Sequence, residues 1–141
     1  MENDRDRFEL KIPPRLDYLS TVRRFVEDLS RQAGFREPDI EKIVMSVDEA
    51  ASNSITHNGA NREPLSIAIE STDTALIIRV QDSGASFGAR FIEEVELDTH
   101  LNEMRGNGLG LHIMKSFMDA VEYERTGEDK NLLTMTKFLN P

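Results

Sequence analysis

Hydrophobic and polar positions alternate or recur along this chain with two clear periods. Phe8, Leu10 and Ile12 alternate with Glu9 and Lys11, which predicts a short strand closed by Pro13 and Pro14. From Leu16 the apolar positions Leu16, Leu19, Val22, Phe25, Val26 and Leu29 recur at helical spacing, and Gly34 is placed to cap that helix. Pro38 and Asp39 open a second helix whose stripe is Ile40, Ile43, Val44, Val47, Ala51 and Ile55. Period two returns at Leu65, Ile67 and Ile69 and again at Leu76, Ile78 and Val80, so close together that an antiparallel hairpin is expected. Between Ala85 and Met104 the pattern weakens. A third helix then carries Leu109, Leu111, Ile113, Met114, Phe117 and Met118, and two strands follow, with Val121 and Tyr123 on one and Leu133 and Met135 on the other. The order is β-α-α-β-β, an irregular stretch, then α-β-β. It predicts an α+β fold: a two-layer sandwich of a mixed, mainly antiparallel sheet with helices packed on one face.

Composition narrows the classes of function. A chain of 141 residues fits one domain, taken here as 1–141, and is long enough to bury a core without staples. There are no cysteines, which removes disulfides, thiolate metal sites and cysteine nucleophiles. The net charge of −9 disfavours direct nucleic-acid binding, which calls for a basic patch. No apolar run has signal-peptide or membrane-span length, so a cytoplasmic protein with no membrane partner is expected.

Three stretches carry candidate chemistry. In RGNGLGLHIMKSFM, the glycines Gly106, Gly108 and Gly110 run into an apolar helix. Such a turn is either an ordinary loop or an anion site, where helix N–H groups and the dipole meet a phosphate that no Cβ keeps away. In DEAASNSITHNG, helical stepping places Ser46, Glu49, Asn53 and His57 on a second stripe, away from the apolar one. On a solvent face these are surface residues. On a phosphate cleft, Asn53 offers a neutral oxygen to Mg²⁺, and Glu49 can accept the proton of an attacking hydroxyl or water. In ALIIRVQDSG, Asp82 ends a strand with Gly84 two residues on. That is ordinary turn chemistry, or a carboxylate that accepts a hydrogen bond from an exocyclic amine. The patternless span before the glycine turn lies where an active-site lid, about 83–105, would have to be.

Glu49 with Asn53, Asp82-x-Gly84, and Gly106-x-Gly108-x-Gly110 occur in an order and separation that resemble the GHKL (Bergerat-fold) ATP-binding superfamily. That family has an N box, a D-x-G box and a G-x-G box around a lid. EAASNSITH and GNGLGLHIMKSFMDAVE look closest to the bacterial anti-sigma factor serine/threonine kinases. The resemblance implies ATP and Mg²⁺ as cofactors, with Asn53 as the metal ligand and Asp82 as the adenine contact. Gly84 would let the base approach, and Gly106, Gly108 and Gly110 would mark where the lid meets the phosphate-holding helix. Glu49 would be the general base toward a protein serine or threonine. It further implies a STAS-type anti-sigma factor antagonist as substrate, a sigma factor or similar regulator as the sequestered partner, and a homodimer. Arg105 is placed to reach the γ-phosphate, and Arg23 and Arg24 lie where the family tends to contact partners; surface charge is the other reading of all three. Asp48 beside Glu49 departs from a simple pattern, and only the spacing to Asn53 favours Glu49. His57 is expected to be structural, and His100 and His112 receive no role. Two readings stay open: a protein kinase that also sequesters a regulator, and a nucleotide-dependent partner switch with little or no phosphoryl transfer.

Overall fold

The computed structural model describes residues 5–58, 63–83, 106–127 and 130–140, with side chains for all of these but 57–58, 106–111 and 126–127. Strand β1 (Asp6–Ile12) leads through a single 3₁₀ turn (Leu16–Tyr18) into helices α1 (Leu19–Ala33) and α2 (Glu37–Asn58). Strands β2 (Leu65–Ser71) and β3 (Ala75–Ser83) form the expected hairpin. Helix α3 (Gly106–Phe117) precedes β4 (Ala120–Gly127) and β5 (Lys130–Phe138). The sheet runs in the order β1-β2-β3-β5-β4. All its described pairs are antiparallel, so none of the parallel pairing that a mixed sheet would bring is found among them. Strand β5 enters between β3 and β4, and this sets Asp82 opposite Asn131.

The alternation decides which face is buried. Phe8, Leu10 and Ile12 pair with Ile69, Ile67 and Leu65, which pair in turn with the Ile78 and Val80 side of β3. Leu133 and Met135 continue that face through β5. Against it pack Val22 and Val26 of α1, Ile40, Ile43, Val47, Ala51 and Ile55 of α2, and Met114 of α3, all buried. Each full burial of a large aliphatic side chain is worth about 1.5–3 kcal/mol, so this shared apolar face is the main source of stability. The other face is polar. There Glu70 is shielded by Arg5 at 2.5 Å, Arg79 at 3.2 Å and Arg7 at 3.8 Å. Burial alone would push the Glu70 carboxyl up, but the Arg79 hydrogen bond and the three guanidinium charges hold it below the ordinary carboxylate range.

Helix ends follow the sequence signals, with two differences. Gly34 is left-handed (φ 105°), its N–H bonds Arg31 O at 3.1 Å, and Phe35 N bonds Ser30 O at 3.2 Å, which together close α1 in a Schellman turn. Leu16, expected on the α1 stripe, is 55% exposed because the chain first makes the 3₁₀ turn and α1 begins only at Leu19. Second, Gly106, Gly108 and Gly110 lie inside the first turns of α3 rather than in a turn ahead of it. The buried anchors Met114 and Met118 hold the C-terminal half of α3, and the helix propagates back over residues whose first N–H groups need no intrahelical partner anyway. At the other end Lys137 donates to Phe117 O at 2.6 Å, a cation on the carbonyl end of the helix.

Candidate active site

Helix α2 carries site residues on two of its sides. Toward solvent, Glu49 and Asn53 stand one turn apart on one side of the helix, both half-buried. The neighbouring acid is turned elsewhere: Arg23 Nε of α1 donates to Asp48 Oδ1 at 2.7 Å. This separates the two adjacent acids. Asp48 belongs to the α1–α2 seam, and Glu49 is the one that shares a face with Asn53. Burial pushes the Glu49 carboxyl up, the Asp48 charge adds to the rise, and the Asn53 hydrogen bond opposes it. Ser46, which spacing places on the same stripe, is fully buried instead, and its hydroxyl finds no hydrogen-bond partner among the described residues.

Toward the sheet, α2 meets Asp82. This residue lies on the helix-facing side of β3 and is only 7% exposed. Ser54 Oγ donates to Asp82 Oδ2, and Asn131 Nδ2 of β5 donates to Asp82 Oδ1 at 2.9 Å. Tyr123 of β4 donates its hydroxyl proton to Asn131 Oδ1 at 2.6 Å. Burial pushes the Tyr123 phenol up, Arg125 opposes this, and the Asp82 charge adds to it, so the phenol keeps its proton near neutral pH. Ser54 ties the sheet-facing side of α2 to the Asp82 end of the sheet, and α2 also packs against α3, whose first turns hold Gly106, Gly108 and Gly110. Of the lid expected at about 83–105, Ser83 ends strand β3, and the rest, with Gly84 and Arg105, lies outside the described residues.

Ser54, Asn131 and Tyr123 were not singled out from the sequence, although a signal was there. Ser54 follows the Val47 and Ala51 spacing onto the buried side of α2, and Asn131 falls in phase with Leu133 and Met135. A polar residue in an apolar phase is one that must find a partner inside the fold.

Residues 12–137 match the family of the histidine kinase-like ATPase domain. The chain belongs to that family. A protein of Listeria innocua named serine-protein kinase RsbW is 31% identical to it, over 96% of this chain and 88% of the relative. A second protein of that name, from Bacillus velezensis, is 28% identical over 99% of this chain and 90% of its own length. A chain in the crystal structure of the SiaB–SiaC complex from Pseudomonas aeruginosa superposes with a TM-score of 0.64, covering 94% of this chain and 89% of that one. At 10% identity that likeness is one of fold, an antiparallel sheet backed by helices as described above.

Proposed function

We propose that the protein is an ATP-dependent serine/threonine protein kinase of partner-switching type. It transfers a phosphoryl group to a small STAS-type antagonist and sequesters a transcription regulator, such as a sigma factor, as a cytoplasmic homodimer. Residues 1–141 act as one ATP-binding unit. The observation that carries the reading is the pairing of Glu49 with Asn53 on one face of α2, with Asp48 drawn away by Arg23. Serine-kinase relatives along nearly the whole chain support it.

The chemistry divides among these residues. Glu49 accepts the hydroxyl proton as the serine or threonine oxygen bonds to the γ-phosphorus of the substrate ATP and the β–γ bridging bond breaks, releasing ADP. A carboxyl pushed up by burial is a better base for this step than an exposed one, because its pKa stands closer to the working pH. Asn53 fits Mg²⁺: the ion prefers hard oxygens and takes few of them from protein, so it does not require the cluster of three or more acids and histidines that is missing among the described residues. When bound, the ion neutralises charge on the phosphates. The unpaired N–H groups at the α3 N-terminus, those of Gly106 and Gly108 among them, face those phosphates, and Gly110 one turn on adds no Cβ. Asp82 accepts from the adenine amine, Gly84 lets the base approach, and Arg105 reaches the γ-phosphate from the lid.

Incubation with radiolabelled ATP, Mg²⁺ and candidate STAS-type proteins tests the reading. Label is expected on a serine or threonine of one of them, with transfer lost in Glu49→Gln while ATP binding is kept. Tight ATP binding without transfer to any cognate antagonist would refute the kinase and leave a nucleotide-dependent binding switch.

A further inference from the structure

The Asp82 carboxylate is held from two sides, by Ser54 on α2 and Asn131 on β5. Behind Asn131 stands Tyr123, whose hydroxyl donates to Asn131 Oδ1 at 2.6 Å. Both donated protons, that of Tyr123 to Asn131 and that of Asn131 to Asp82, therefore point toward Asp82. The direction is enforced. Turning the Asn131 amide over would set its oxygen against the Asp82 carboxylate, acceptor against acceptor. Hydrogen bonds aligned this way polarise one another, and this one runs through residues that are 1% (Asn131) and 7% (Asp82) exposed.

Two donors, one on each oxygen, occupy the Asp82 carboxylate and remove its freedom to rotate. An ionised carboxylate accepts and never donates. Adenine presents an exocyclic amine, a donor, where guanine presents a carbonyl oxygen, an acceptor. A rigid acceptor therefore gains a bond with the first and sets lone pairs against the second. A carboxyl able to hold a proton or to turn would admit both.

We propose that Ser54, Asn131 and Tyr123 are positioning residues that set the base selectivity of the nucleotide site by locking Asp82 as an acceptor. The inference rests on the ATP-binding reading above. It goes beyond a brace between α2 and the sheet, because a brace would not distinguish one base from another.

The test measures dissociation constants for ATP and GTP by calorimetry on the full chain, with the thermal midpoint recorded for each variant. Wild-type protein is expected to prefer ATP strongly. Asn131→Asp sets two carboxyls at hydrogen-bond distance; they share one proton, and the pair becomes able to donate. Its ATP-over-GTP ratio is expected to fall roughly tenfold to a hundredfold, the range of a hydrogen bond to a charged group. Tyr123→Phe removes a single oxygen, keeps the ring, and takes away the hydroxyl that anchors Asn131 Oδ1; a several-fold fall in the ratio is expected. It serves as the decisive variant should Asn131→Asp not fold. A ratio unchanged from wild type in the folded variants, whether both nucleotides weaken alike or neither does, overturns the inference and leaves ATP binding standing. Wild-type protein that binds ATP no better than GTP overturns the ATP-binding reading and this inference together.

Discussion

Replacing Glu49 by Gln separates chemistry from folding, because the two are expected to move in opposite directions. Gln keeps the length of the side chain and its contact with Asn53, but it cannot take a proton. A positioned general base is worth about 10²–10⁴ in rate, so phosphoryl transfer should fall by that factor, which is roughly 3–5 kcal/mol on the barrier. Stability should not fall with it. Burial and the Asp48 charge raise the Glu49 carboxyl above its unfolded value, so the folded state binds this proton more tightly than the unfolded chain does. The sign follows: the group favours folding at low pH, and that contribution is lost as pH rises from the ordinary glutamate value through the raised folded one. Above that window the charged Glu49 is a burden on the fold that Gln does not carry. Melting curves at pH 4 and pH 7.5, run beside a transfer assay with saturating Mg-ATP, read both effects. The wild type should lose more stability than Glu49→Gln between the two pH values. A variant that transfers phosphate at the wild-type rate, or that melts well below wild type at pH 7.5 and not at pH 4, would refute the reasoning.

Asn53→Ala should weaken Mg-ATP binding more than binding of nucleotide in chelator, and equal losses in titrations with and without metal would reject the metal role. Gly110→Ala replaces a helix-interior glycine, so it should stabilise the fold by about 0.5–1 kcal/mol in denaturant melts while weakening ATP binding; a stabilised variant with unchanged ATP affinity would remove Gly110 from the phosphate site. Glu70→Gln should lower stability at neutral pH and low salt, and less so in 1 M salt. Its folded-state carboxyl is depressed by Arg79, Arg5 and Arg7 against the opposing effect of burial, so the wild-type advantage is present above the unfolded glutamate value and disappears as pH falls through the lower folded one. Thermal melts across pH and salt check this, and an advantage that survives below pH 3 would contradict it.

The architecture was legible because each element declares its own period. Alternation in β1, β2, β3 and β5 settles which residues face the helices, and the α2 stripe from Ile40 to Ile55 needs no tertiary information to be read as helix. Local signals failed where two local structures compete over a few residues. At Leu16 a 3₁₀ turn displaces the start of α1, and at Gly106 the helix runs back over glycines that propensity alone would have left in a turn. In both cases tertiary anchors further along the helix outweigh residues that cost the chain about 1 kcal/mol or less each.

The site shows the same division between what lies along the chain and what the fold brings together. Glu49 and Asn53 are readable as a pair because they are one helical turn apart. Spacing favours Glu49 over the adjacent Asp48, but what draws Asp48 away is not readable there: Arg23 is 25 residues from it and reaches it only when α1 packs on α2. Asp82 likewise appears in the sequence as the end of a strand beside a glycine. Its surroundings depend on β5 entering the sheet between β3 and β4, an arrangement that no run of residues encodes locally. That insertion places Asn131 against one carboxylate oxygen while α2 brings Ser54 to the other, 28 residues away in sequence. An aspartate in a turn has many possible partners, whereas one buried between two donors has a fixed direction. The selectivity proposed for Asp82 therefore rests on the assembled sheet and helix rather than on the Asp82-x-Gly84 motif alone.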